Sequence, residues 1–128
     1  MEVESVLRND SKRIVKGAML RVHPEFSFGL EGGVRFFVKT ADGWKEVELK
    51  RGENWLRGKE IPLGAWAVLD TGRSLYLVNL FDPSQLSACM IYIGSEYYNL
   101  ELFSKKVDLK PGGAVVIKHR YEVRSLLP

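Results

Sequence analysis

Three side chains able to bind or move a proton occupy alternate positions of one short segment: Arg21, His23 and Glu25 in Leu20–Phe28. Side chains alternate along a strand, so these three and Ser27 project to one side. Val22, Pro24, Phe26 and Phe28 project to the other. One face therefore reads as core, while the other gathers a guanidinium, an imidazole and a carboxylate. Such a set could exchange protons with a substrate, because imidazole titrates near neutral pH and a carboxylate can accept a proton. A bland arrangement is equally open. His23 precedes Pro24, which restricts it to extended conformations, so it could end a strand and cap a turn. Arg21 and Glu25 could form a solvated cross-strand ion-pair set.

A second segment, Glu96–Phe103, repeats the pattern. Tyr98, Leu100 and Leu102 share one face; Tyr97, Asn99, Glu101 and Phe103 share the other. An amide and a carboxylate between aromatic rings suit a sugar, whose C–H faces pack on rings while its hydroxyls need fixed donors and acceptors. Tyr97 and Asn99 thus join Arg21 and Glu25 as candidates for substrate binding. Trp55, in the polar stretch Lys50–Pro62, is a further one. Glu101 has an alternative as a surface carboxylate paired with Lys105 or Lys106. Trp66, inside Ala65–Asp70, reads as core. His119 falls in the apolar row Val115, Ile117, Tyr121 and Val123, which suits a satisfied core histidine.

The elements that must position these groups are strands. Glu2–Arg8, Arg13–Val22, Gly33–Thr40, Trp44–Leu49, Ala65–Asp70, Ser74–Phe81, Ala88–Ile93, Glu96–Phe103 and Ala114–Val123 are separated by turn residues, with Asp42-Gly43 a hairpin signal and Lys110-Pro111-Gly112-Gly113 the last clear turn. No window sustains a 3.6-residue period. The pattern predicts an all-β, antiparallel β-sandwich, with residues 1–128 as one domain.

Composition narrows the function classes. Nineteen basic against sixteen acidic residues give a net charge of +3, and the charges are interleaved without a basic run, so no nucleic-acid partner is expected. Cys89 is the only cysteine; it excludes an intrachain disulfide and any multi-cysteine metal site, and reads as a small core residue. His23 and His119 do not make a metal motif, and the glycine pairs are turn residues with no phosphate loop, so neither metal nor cofactor is implied. No apolar run approaches membrane-spanning length and no signal peptide is visible, which predicts a cytoplasmic protein without a membrane partner. Abundant Lys, Arg and Glu beside the single glutamine, Gln85, suggest a thermophilic source.

Two stretches together resemble a known superfamily. Val6-Leu7-Arg8-Asn9-Asp10-Ser11, followed by Leu20-Arg21-Val22-His23-Pro24-Glu25-Phe26, is similar to the part of aldose 1-epimerases where a strand, an Asn-containing turn and a second strand lead to a catalytic histidine and then an aromatic. Asn99-Leu100-Glu101-Leu102-Phe103, then Val107-Asp108-Leu109-Lys110-Pro111-Gly112-Gly113 and the alternating final strand, resemble that superfamily's C-terminal end. The resemblance covers the second half of the galactose mutarotase-like architecture; the family's other histidine lies upstream of the matched region. It implies half of a larger β-supersandwich that binds a small-molecule carbohydrate. It also implies a reaction in which an acid protonates the ring oxygen while a base removes the anomeric hydroxyl proton. His23 matches the acid and Glu101 the base, on opposite sides of the anomeric centre. Half a supersandwich would leave a sheet face or edge to cover, so a homodimer is expected. A non-catalytic β-sandwich binding module, or a homo-oligomeric assembly module, is the alternative.

Overall fold

Alternating apolar and polar residues, interrupted by glycine- and proline-bearing turns, give thirteen strands. In chain order they are β1 Glu2–Arg8, β2 Val15–Ala18, β3 Arg21–Val22, β4 Glu25–Phe26, β5 Val34–Thr40, β6 Gly43–Val47, β7 Gly52–Arg57, β8 Ala65–Asp70, β9 Leu75–Phe81, β10 Leu86–Ile93, β11 Tyr98–Ser104, β12 Val107–Leu109 and β13 Ala114–Arg124. The structure, a computed structural model, describes residues 1–128. The only helical pieces are single 3-10 turns at Gly58–Glu60 and Pro83–Gln85, and no helix is long and apolar enough to cross a membrane.

Two antiparallel sheets pack face to face. One runs β1-β13-β9-β8-β5-β6 and the other β3-β11-β10-β7, with β4 also on β11; β12 and β2 form a small separate ribbon. Their inner faces supply one core. Phe36, Val38, Trp66, Val68, Leu77, Phe81 and Ile117 come from the six-stranded sheet, and Cys89, Ile91, Tyr98, Leu100 and Leu102 from the five-stranded sheet. Trp66 and Cys89 are fully buried, as their sequence surroundings predicted. Burial pushes the Cys89 thiol up to about 12, which leaves it an inert core residue.

Arg13–Val22, expected as one strand, divides into β2 and β3 in separate sheets, and two further segments differ from the sequence expectation. The stretch 50–62 read as loose and polar, yet it contains β7, which pairs along its whole length with β10. Asn54 is the reason a polar residue fits there. Its amide group donates to the carbonyls of Lys50, Gly52 and Ile91, and its oxygen accepts from the Lys50 N–H. The segment Leu20–Phe28 also forms two short strands rather than one. Its register on β11 is nevertheless continuous, with Arg21 opposite Phe103, Val22 opposite Leu102, Glu25 opposite Asn99 and Phe26 opposite Tyr98. The ladder lapses only at His23-Pro24, where proline has no N–H to donate. Both ends are tied down: the Leu20 N–H donates to Ser104 Oγ at 2.8 Å, and the Tyr98 hydroxyl donates to the Phe28 carbonyl at 3.0 Å.

Before β2, Asn9 organises the turn that the sequence marked. Its amide group donates to the carbonyls of Arg13 and Leu109, and its oxygen accepts from the Ser11 backbone and hydroxyl. At the opposite end of the sheet, Gly29 has φ +78°, and a Cβ there would lie 2.9 Å from Val34 and 3.1 Å from the Asp70 backbone. Both the conformation and the close approach require glycine.

His119 lies in the core at 5% exposure, with Nδ1 3.3 Å from the Asn79 amide and Nε2 unpartnered. Burial lowers its pKa, so the unfolded chain binds a proton in a window just below the ordinary histidine value of about 6.5 where the folded chain does not. Stability from this group is therefore complete above that value and declines as pH falls below it. Urea midpoints at pH 7.5 and 5.5 should show the decline in the wild type and a smaller one in His119→Phe. Equal declines would place its origin elsewhere.

Candidate functional site

The outer face of the five-stranded sheet is organised in rows set by strand register. Glu101 pairs with Met90, and Met90 with Trp55. Val22 opposite Leu102 and Glu25 opposite Asn99 put His23 directly across from Glu101. One row is thus His23, Glu101, Met90 and Trp55. The next is Glu25, Asn99, Tyr92 and Glu53, and the row on the other side is Arg21, Phe103, Ala88 and Arg57. Opposite side chains on a strand pair stand about 5 Å apart and diagonal ones are within reach of long side chains. Residues far apart in sequence thereby meet.

The polar centre is a chain of contacts made across, along and diagonally between the two strands. Arg21 Nε donates to Glu101 Oε1 at 2.5 Å, and His23 Nε2 lies 3.6 Å from Glu101 Oε2. Asn99 Nδ2 is 2.5 Å from His23 Nε2 and 3.3 Å from Glu101 Oε2. Glu101 is 1% and Asn99 3% exposed, although both lie on the sheet's outer face, because strands flank β11 on both sides. Arg21 and His23, on the edge, remain about half exposed. The alternative for Glu101, a surface carboxylate paired with Lys105 or Lys106, does not hold: its cation is Arg21. That hydrogen bond, with the charges of Glu101 and Glu53, raises the Arg21 pKa against a smaller opposing effect of burial.

An amide N–H directed at Nε2 makes that nitrogen the acceptor, so the neutral ring carries its proton on Nδ1. Nδ1–H is then the donor left for a ligand. Glu101 has further lone pairs beyond those used by Arg21 and Asn99. His23 and Glu101 stand side by side, not across a gap as the acid/base reading expected. Adjacent strands on one sheet face enforce this. Side-by-side groups still suit an anomeric centre, since the ring oxygen and the anomeric hydroxyl are bonded to the same carbon.

These groups open onto a cleft of about 240 Å3, lined by Arg21, His23, Glu25, Glu53, Met90, Tyr92, Tyr97, Asn99 and Glu101. The rings of Tyr92 and Tyr97 stack at 5.9 Å. Burial, with smaller contributions from Tyr92 and Glu25, raises the Tyr97 phenol pKa. A larger hollow of about 510 Å3 lies along β1, β9 and β13. It is remote from this chemistry, and its charges include the Lys118–Glu4 pair at 3.9 Å.

Six of the seven site residues expected from sequence line the cleft. Trp55 does not. It packs on Phe103 with ring centroids 5.0 Å apart, lies under the Arg57 guanidinium at 4.2 Å, and donates from its indole N–H to Glu53 at 3.3 Å. Its register puts it one strand beyond Met90, so it supports the cleft through Glu53. Glu53, Met90 and Tyr92 were missed. Glu53 lay in a segment read as loop, although Glu53, Trp55 and Arg57 alternate with the inward Leu56. Met90 and Tyr92 lay in an apolar run whose two faces cannot be told apart by composition. No cluster of three or more His, Cys, Asp or Glu side chains has the arrangement of a metal site.

No protein-family model matches the sequence, and no curated protein matches it significantly. Solved structures do match the fold. Slr1438 from Synechocystis sp. PCC 6803 superposes with a TM-score of 0.65 at 12% identity, over 98% of this chain and 50% of that one. An aldose 1-epimerase candidate from Escherichia coli K12 gives 0.71 at 12% identity, over 98% and 56%. Another from Klebsiella pneumoniae gives 0.63 at 15% identity, over 95% and 42%. The chain thus has a mutarotase-like β-sandwich fold and spans about half the length of the structures it matches.

Proposed function

We propose that this protein binds a monosaccharide on the outer face of its five-stranded sheet and catalyses exchange between anomers, with His23 as acid and Glu101 as base. The carrying observation is the register row that sets the His23 imidazole 3.6 Å from the buried Glu101 carboxylate at the floor of an open cleft. Arg21 holds one carboxylate oxygen and Asn99 holds the imidazole. Stacked Tyr92 and Tyr97 offer a ring surface for sugar C–H groups. Glu25 and Asn99 supply acceptors for hydroxyls. Ligand clefts for drug-sized molecules run to about 300–1,000 Å3, so a volume of about 240 Å3 fits one small ring. The likeness in fold to aldose 1-epimerase candidates supports the same reaction. The test is NMR exchange spectroscopy of several aldohexoses with purified protein: relaxation between anomers should exceed the buffer rate, and the buffer rate for all of them would refute catalysis.

A non-catalytic sugar-binding module is the second reading. It is favoured by one observation: His23 Nε2 and Glu101 Oε1 already have partners within the protein. Saturable hexose binding that survives His23→Ala and Glu101→Ala would select it. Either reading includes a homodimer. The outer face of the six-stranded sheet carries Phe37 and Tyr76 edge to face at 6.0 Å, with half-buried Leu69 opposite Tyr76, an apolar surface of the kind that subunits cover. Light scattering at micromolar concentration should give twice the chain mass; a monomer mass would oppose this.

A further inference from the structure

The cleft differs in charge from the protein around it. The whole chain carries +3, yet the cleft lining contains three carboxylates, Glu25, Glu53 and Glu101, against one guanidinium. That guanidinium is balanced by one of the three. Arg21 Nε is on Glu101, and its Cζ lies 5.4 Å from the Phe103 ring centre. No lysine lines the cleft, so with Arg21 set against Glu101 the carboxylates of Glu25 and Glu53 remain in excess.

The remaining polar groups are mostly acceptors. Glu25 and Glu53 end the row that crosses Asn99 and Tyr92, so their backbones are three strand spacings, or about 14 Å, apart, and their side chains line the same cleft from its two sides. Glu53 is steadied by the Trp55 indole N–H. Between them, Asn99 Oδ1 is buried without a partner in a side chain that is 3% exposed. A buried amide oxygen in that state lacks a donor. The ring faces of Tyr92 on the same row and of Tyr97 stacked beside it attract cations. Every one of these features favours a ligand rich in N–H and O–H donors, and none favours an added negative charge.

We propose that the cleft selects its sugar by charge: it accepts neutral hexoses, prefers amino sugars bearing an ammonium group, and rejects sugar phosphates and uronic acids. This rests on the sugar-binding reading above. The ammonium sits among Glu25, Glu53 and the Asn99 oxygen, while the anomeric edge of the ring meets His23 and Glu101. Like-charge repulsion from two uncompensated carboxylates turns a phosphate or carboxylate away.

The test is calorimetric titration of the full chain at pH 6 with four probes: a hexose, the matching 2-amino-2-deoxyhexose, the hexose 6-phosphate and the hexuronate. The amino sugar should bind about tenfold more tightly than the hexose, the size expected for two exposed ion pairs. Raising salt should shrink that margin. The phosphate and the uronate should each bind at least about tenfold more weakly than the hexose. Glu53→Gln and Glu25→Gln should each reduce the amino-sugar preference, and the double substitution should remove it. Equal affinity for all four probes, or tighter binding of the phosphate, would overturn charge selection while leaving sugar binding intact. Failure of every probe to bind would overturn both.

Discussion

Glu101→Gln is expected to slow catalysed anomer exchange by about 10²–10⁴-fold, the range a positioned general base contributes, with the fold unchanged. Glutamine keeps the shape of the side chain, and its amide oxygen still accepts from Arg21 Nε, which reaches Glu101 at 2.5 Å. What is lost is the negative charge and the ability to take a proton. His23 loses its nearest carboxylate, 3.6 Å away, so the protonated imidazole that delivers the proton to the ring oxygen is no longer balanced. Hexose affinity should change far less than the rate, because the ring faces of Tyr92 and Tyr97 are untouched. NMR exchange rates on wild type and variant, with a parallel binding titration, separate the two effects. An unchanged rate with unchanged binding would remove Glu101 from the chemistry.

Each half of this pair was legible in the sequence, but their meeting was not. Alternation alone put Arg21, His23 and Glu25 on one face and Asn99 and Glu101 on another. It could not say that the two faces are the same surface, because pairing between segments nearly eighty residues apart is a long-range choice. A one-residue slip in register would have turned every side chain over. Register continuity across the lapse at Pro24 puts His23 opposite Glu101, and that depends on Leu20 and Phe26 being anchored at the two ends. Strand β7 was hidden for a different reason. Gly52 and Asn54 are poor strand formers by composition, and only the folded neighbours, the Lys50 backbone and the Ile91 carbonyl, make Asn54 a good inward residue. Losing β7 to a loop also displaced Trp55 into the cleft and left Glu53 unremarked. The core was read correctly because it requires only local information: Trp66 sits in an apolar run that any packed sheet would bury.

Trp66→Ala is expected to produce the largest stability loss of any single substitution discussed for this chain. Trp66 is fully buried at the centre of the core, edge-on to Phe81 with ring centroids 6.4 Å apart. Truncating a buried Trp to Ala typically costs about 3–5 kcal/mol. A second cost adds to it. The Trp66 indole N–H donates to Asn79 Oδ1 at 2.7 Å, and Asn79 is completely buried, so the amide oxygen would lose its donor at about 1–3 kcal/mol. Domains of this size have about 5–15 kcal/mol in total, so the variant should be partly unfolded at room temperature. Trp66→Phe divides the two terms, because it loses the N–H but retains most of the ring volume and leaves only a small cavity; it should cost less than half as much. Urea denaturation followed by circular dichroism reads both as midpoint shifts at unchanged slope. The site should fail with the core, since Leu100 and Leu102, which bracket Glu101 on β11, have their side chains in the same cluster as Trp66. Exchange activity of Trp66→Phe measured at 10 °C below its unfolding range should therefore match wild type. Activity lost there in a folded protein would mean that Trp66 shapes the cleft directly, through the β11 backbone.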